Sequence, residues 1–515
     1  MDHWYHLYGG SVSRRDFFRV GRDLAGLIAL ASLPGDVAAE RRLAANPFAL
    51  GVASGDPLPD GVVLWTRLDP SAVGGAAARV QWEVAADEGF KRIVRRGSSL
   101  APAELGHSVH AEVDGLEPGR DYWYRFMAGG QASAVARTKT APALGSSPDR
   151  FRFAFISCQN YEHGYFTAFR HLAAEDVDVI VHLGDYIYEK RFLSAPTVRE
   201  HEAGEVFTLD QYRARYGLYR ADADLQAAHA VCPWIVTNDD HEVANNWAGA
   251  FAADTTVSSD QFLLRRAAAY QAYYEFMPLR RTSLPHGPWM QIYRRLAFGR
   301  LLRFHVLDTR QFRSDQACGD GSKPRCPEVF DRARTMMGAE QERWLADGLH
   351  GSDARWNVVA NQVMIAQTKR MAGGEAIFSM DKWDGYVAAR NRLTALLADP
   401  KVVNPVVITG DIHTNWVADL KADYDDPSSA TVGAEFVGTS MTSGGDGNDA
   451  DTSRVQGLNP HVKFFNARRG YVRVEVEPSR LTSTYRCVPY VTFPGAPIET
   501  RGVFVVEDGT RGVQA

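Results

Sequence analysis

From about residue 150 onward the chain repeats one arrangement: a short apolar run, a polar cluster where the run stops, then a longer helical stretch. The runs are Phe151–Ile156, Val177–Leu183, Trp234–Thr237, Leu302–Leu307, Trp356–Ala360 and Pro405–Thr409. They stop at Ser157-Cys158-Gln159-Asn160, Gly184-Asp185-Tyr186, Asn238-Asp239-Asp240-His241, Asp308-Thr309-Arg310, Asn361-Gln362 and Gly410-Asp411-Ile412-His413. Strands alternating with helices predict an α/β domain, here over 150–507. Sites in such domains lie outside the carboxyl ends of strands, so these clusters are expected to converge.

Residues 47–141 follow a different rule. Val62–Arg67, Val80–Val84 and Tyr122–Phe126 are strand-like and separated by Gly/Pro turns, which predicts an N-terminal fibronectin/Ig-like β-sandwich. Leu116–Tyr122 resembles the corner before a late strand of such sandwiches, and 140–148 is a linker.

Residues 1–45 read as an export leader. Ser13-Arg14-Arg15-Asp16-Phe17-Phe18 is a twin-arginine pattern followed by the mildly apolar Leu24–Ala31. That stretch is well short of the roughly 20 residues of a membrane span. Export through the twin-arginine machinery to the periplasm or the exterior is expected, the alternative being a chance Arg pair on an amphipathic helix. A net charge of −5 and a pI near 6.3 predict no nucleic-acid-binding surface. Of five cysteines, Cys318 and Cys326 bracket a polar loop and are expected to pair in an oxidising compartment, while Cys158, Cys232 and Cys487 are dispersed.

Four places carry candidate chemistry, each with a plainer alternative. Cys232–Trp247 runs from apolar residues straight into Asn238, Asp239, Asp240, His241 and Glu242, then Asn245 and Asn246. Polar groups beside a buried strand are costly unless paired, and a helix N-cap accounts for only one of them. Asp185, after Gly184, projects a carboxylate able to bridge two cations, with Tyr188 three residues on; a capping Asp and a core Tyr would look the same. Asp411 and His413 place two ligands on one loop, unless the histidine is merely satisfied there. Cys158 ends a strand, where a free cysteine is most often a small buried hydrophobe.

In chain order, Cys158, Gly184-Asp185-x-x-Tyr188, Asp240-His241-Glu242 and Asp411-x-His413 resemble the calcineurin-like and purple-acid-phosphatase pattern. That pattern runs D-x-H, G-D-x-x-Y, G-N-H-E, a lone His and G-H-x-H. Here Cys158 replaces the first Asp, Asp240 stands for Asn, Asp411 replaces the penultimate His, and Asn361 sits near the lone His. These departures resemble the PhoD family of alkaline phosphatases and phosphodiesterases. So do the leader, Phe48–Pro57, Val63–Arg67, Ser157–Gln159, Gly184–Glu189, Asp239–Glu242 and Leu307–Arg310.

The resemblance implies a two-sheet metallophosphoesterase domain with flanking helices behind the sandwich, and a site holding Fe(3+) and Ca(2+). Thiolate and phenolate suit a trivalent iron, so Cys158, Tyr188 and His413 are expected on iron, with Asp185 as the bridge. Asp240, Asp411 and Asn361 would face calcium, a hard cation that takes oxygen; zinc or manganese stays open. The implied activity is hydrolysis of small or polymeric phosphate esters by a metal-bound hydroxide. His241 would stabilise the transition state or protonate the leaving alkoxide. Arg310 would clamp phosphate or else serve as a structural partner of Asp, with Glu242 and Asn245 supporting the ligands. Two other classes compete: an exported binding protein with structural metals, and a redox iron protein, for which the ligand set is too rich in carboxylate.

Overall fold

Strand Asp121–Ala128 alternates half-buried and buried residues, so Tyr122, Tyr124, Phe126 and Ala128 form one inward face. It pairs with Ala78–Ala85, Gln131–Ala132 and Ala136–Lys139, and Ile93–Ala101 adds the far edge. A second antiparallel run joins Val52–Leu58, Gly61–Arg67 and Ser108–Val113. Both contribute to one core containing Val62, Leu64, Val80, Val84, Val109, Tyr124 and Phe126, which makes the arrangement a β-sandwich. At the expected corner the Glu117 N–H donates to the Tyr122 hydroxyl at 2.9 Å.

The computed structural model describes residues 43 and 45–514, apart from 76, 427, 451 and 452. The twin-arginine pattern lies outside the described residues. The chain divides into two compact units: the first runs to Thr140 and adds Val206–Trp234 and Ala250–Gln291. The second comprises Ala141–Glu205, Ile235–Gly249 and the chain from Ile292 onward. Two stretches inside the 150–507 region therefore pack in the first unit. They carry helices Leu209–Arg220 and Ser259–Phe276, each opened by a capping box, Thr208 with Gln211 and Ser258 with Gln261.

The second unit is built on two sheets. One orders Glu499–Glu507, Arg480–Val488, Arg469–Val476, Phe151–Ile156, Val179–His182 and Trp234–Val236. The other orders Arg294–Phe298, Leu302–Val306, Trp356–Ala360, Pro405–Thr409, Thr431–Val437, Asn415–Lys421 and Val462–Asn466. Phe153, Val181 and Val472 from the first meet Phe304, Val358, Ile408 and Phe436 from the second in one core. On the far face of the second sheet, Val359 and Val407 pack with Leu345, Leu349, Leu393 and Leu397 of helices Gly338–His350 and Val387–Ala398. Strands covered on both faces read as unbroken apolar runs, which is why Trp356–Ala360 and Pro405–Thr409 carry no alternation.

A small antiparallel sheet joins Ser322–Lys323, Glu375–Ser379 and Arg370–Ala372. Its first strand lies in the loop closed by the Cys318–Cys326 disulfide. The tail turns back so that the Gln514 N–H donates to the Val505 carbonyl at 2.8 Å. Among the described residues no helix is long and apolar enough to cross a membrane.

Candidate metal centre

Asp185 belongs to two groups of potential ligands. Its carboxylate lies within 4.8 Å of Cys158 Sγ and a His413 ring nitrogen, and within the same limit of Asp240 and His241. The Tyr188 hydroxyl stands 3.0 Å from Asp185 Oδ2 and 3.1 Å from His413 Nε2, so it joins the first group. Four separate strand ends thus meet around one carboxylate, as expected of a bridging ligand.

The loops that deliver these side chains interlock. The Cys158 N–H donates to Gly184 O and the Gln159 N–H to Asp185 O, both at 3.1 Å. A Cβ on Gly184 would lie 2.4 Å from Asp239 Cβ, so only glycine lets these two strand ends approach. Cys158, Asp185, Asp411 and His413 have φ of 60°, 58°, 64° and 59°. L-residues rarely adopt this left-handed backbone, and it persists where surrounding bonds over-determine it, as at functional sites. Ser443 helps to fix the cluster, donating to Cys158 O at 2.7 Å or to the Tyr188 hydroxyl at 2.6 Å. The Arg469 guanidinium is committed to the carbonyls of His413, Gly444 and Gly445.

Burial raises the pKa of the Cys158 thiol and of the Tyr188 phenol, and in both cases the Asp185 carboxylate pushes it further. Asp185 is itself held well above the usual carboxylate range by burial, with Asp240 and Asp239 adding to the shift and His241 opposing it. His413 is pushed down to about 3 by burial and by Arg469, so its ring is neutral and able to donate a lone pair. Among the described residues, Asp239 Oδ2, Asp240 Oδ1 and Asn361 Oδ1 are buried with no hydrogen-bond partner. Asp411 Oδ2 faces the Lys382 ammonium at 2.6 Å. Clustered carboxylates and unpartnered buried oxygens, beside a thiol and a phenol, are the donor set of a metal site. The residues fit one.

Around that set, His241 Nδ1 bonds Glu189 Oε2 at 2.7 Å, and its ring stacks on Tyr188 with centroids 4.2 Å apart. Burial would lower its pKa, yet Asp240, Asp185 and Glu189 together raise it well above that of a free histidine. Asp240 is held low: burial opposes ionisation, but Arg310, His241 and the Asn246 N–H, 2.7 Å away, outweigh it. Glu242 accepts from the Tyr186 N–H at 2.6 Å and the Asp239 N–H at 2.8 Å, bracing both segments. Asn245 contributes through its backbone, donating to Glu189 Oε1 at 3.0 Å.

Arg310 is placed differently from a phosphate clamp. Its guanidinium is fully buried, with Nε on Asp239 and Nη1 and Nη2 each 3.0 Å from Asp381. Of the two sequence-based roles, the structural Asp–Arg pair is the one present. The fork is buried against the Asp239 and Asp381 carboxylates. Glu189, Asp381, Lys382, Ser443 and Arg469 were not singled out from the sequence. Glu189 alone stood inside a quoted motif, and its place one residue after Tyr188 was the available signal.

The sequence model of the PhoD-like phosphatase family matches residues 153–485, and that of the PhoD-like phosphatase N-terminal domain matches 35–142. The chain belongs to the PhoD-like phosphatase family. Alkaline phosphatase D of Bacillus subtilis (strain 168) is 49% identical over 520 residues, covering 98% of this chain and 89% of that protein. A solved structure of PhoD is 50% identical and superposes with a TM-score of 0.88, covering 94% of this chain and 93% of that one.

Proposed function

We propose that this chain is an exported, metal-dependent alkaline phosphatase and phosphodiesterase acting on phosphate esters. The observation that carries the reading is the meeting of Cys158, Tyr188, His413, Asp240 and His241 around Asp185. Kinship with alkaline phosphatase D supports the reaction class. Iron held by Cys158, Tyr188 and His413, calcium held by Asp240, Asp411 and Asn361, and Asp185 between them is the assignment that suits the donor chemistry. When bound, such cations supply Lewis acidity and acidify water.

The protein's own groups do the rest. His241, whose pKa is raised by the Asp240, Asp185 and Glu189 carboxylates, gives its proton to the departing ester oxygen, while Glu189 holds Nδ1 so that Nε2 is the donating atom. Asp240 is kept in place by the Asn246 N–H and the nearby Arg310. Arg310, through Asp239 and Asp381, holds the surrounding acidic segments rather than substrate. A non-catalytic binding protein with structural metals has no use for a buried histidine steadied by its own buried carboxylate.

Hydrolysis of bis(p-nitrophenyl) phosphate at alkaline pH, with iron and calcium supplied, tests the reading. The parent is expected to turn over and Asp185→Asn to lose roughly a thousandfold or more while remaining folded, since both groups of ligands share that oxygen pair. Equal rates in the two proteins would remove Asp185 from the reaction.

A further inference from the structure

Phosphate esters are anionic, and a site lined with carboxylates needs cationic side chains as well as metals to receive them. The cations near this centre are mostly committed. Arg310 is fully buried on Asp239 and Asp381. Arg469 is spent on three backbone carbonyls. Lys190 is 38% exposed and 3.9 Å from Glu189 Oε1, while His241 meets Oε2.

Lys382 differs. Its side chain is 12% exposed, and its Nζ stands 2.6 Å from Asp411 Oδ2, on a residue assigned here to cation binding. Its backbone is not loose. The preceding Asp381 is held by Arg310 and by Arg313, whose Nη1 also donates to the Asp381 carbonyl at 2.9 Å. The Met380 N–H donates to Gly321 O at 2.9 Å in the disulfide-closed loop. A lysine so placed, with three donor hydrogens on a flexible stem, reaches the centre from a fixed base.

We propose that Lys382 anchors the phosphoryl group of the substrate. Its ammonium pairs with the Asp411 carboxylate. A cation held by Asp411 would repel the ammonium and leave it to bond a non-bridging phosphoryl oxygen. The inference rests on the phosphatase reading above and adds a substrate-binding residue to it. A monoester dianion gains more from this contact than a diester monoanion, so Lys382 also biases the site toward monoesters.

The test compares full-length, metal-loaded parent, Lys382→Met and Lys382→Arg. It records metal content, kcat and KM for p-nitrophenyl phosphate and for the bis ester, and inorganic phosphate binding by calorimetry. The expected result for Lys382→Met is a phosphate Kd and a monoester KM both raised roughly tenfold or more. The diester KM should rise less, with kcat little changed and metal content equal to the parent's. Lys382→Arg should recover most of the affinity. An unchanged phosphate Kd would overturn the proposal, and so would a loss that tracks loss of metal, which would make Lys382 a support for the ligands instead. If Lys382→Met does not fold, Lys382→Gln gives the same reading. A parent inactive on both esters would sink the functional reading, while phosphate binding would still decide Lys382.

Discussion

His241 and Glu189 form a pair whose division of labour is open to direct measurement. With Nδ1 bound to Glu189 at 2.7 Å, Nε2 is the atom left for the leaving group. His241→Asn is therefore expected to slow alkyl phosphate esters by roughly 10²–10⁴. p-Nitrophenyl esters, whose leaving group departs without a proton, should lose far less. An equal loss on both would take proton donation away from His241. Glu189→Gln should give the same leaving-group dependence at smaller amplitude. At this scale the sequence brought forward candidate ligands where they sit in a strand-end motif, as Cys158, Asp185, Tyr188, Asp240 and His413 do. Lys382 and Ser443 enter from loops with no local periodicity, and Arg469 opens strand Arg469–Val476 far along the chain, so their relevance exists only once the chain is folded. Arg310 sat in a legible motif, but its orientation toward Asp239 and Asp381 is a tertiary fact that no spacing encodes.

The element of most consequence outside the strand ends is the loop closed by Cys318–Cys326. Asp320 in it accepts from Asn246 Nδ2 at 3.1 Å, and Asn246 in turn donates its N–H to Asp240. Gly321 holds Met380, two residues before Lys382, and strand Ser322–Lys323 pairs with Glu375–Ser379. Reducing the disulfide, or replacing both cysteines by serine, is expected to lower activity severalfold through these three contacts. The loop is short, so chain entropy limits the stability loss to about 2–3 kcal/mol. Activity unaffected by full reduction would show that the brace is redundant. The six apolar runs were legible as strands because burial on both faces leaves a continuous signal. Assignment of 206–234 and 250–291 to the first unit was not, since their helices segregate apolar residues to one face only weakly and so do not announce a partner.

At the scale of the whole molecule, the centre ties stability to its cations. Buried carboxylates around Asp185 repel one another until metals arrive, and ligand bound at a hundred times its Kd stabilises a fold by about 2.7 kcal/mol. Chelation is expected to lower the melting temperature of the parent, and to do so much less in Asp185→Asn; equal shifts would place the metals elsewhere. Acid acts separately through buried histidines such as His110 and His305, both pushed down to about 4 by burial. Each is neutral in the fold and takes a proton first when unfolded, so its contribution is whole above pH 6.5 and declines as pH falls toward 4. At about 1.4 kcal/mol per pKa unit this comes to roughly 3.5 kcal/mol for one such group. His305→Asn should flatten that part of the denaturation profile, and an unchanged slope would clear His305 of the effect. The left-handed backbone at Cys158, Asp185, Asp411 and His413 also bears on how such a protein can be improved. A redesign that scores folding energy alone would exchange these four for glycine or asparagine, yielding a sturdier and inert chain. Heat tolerance and turnover compete directly at those positions, so a lineage moving to hotter habitats must find its gains in caps, loops and surface charge instead.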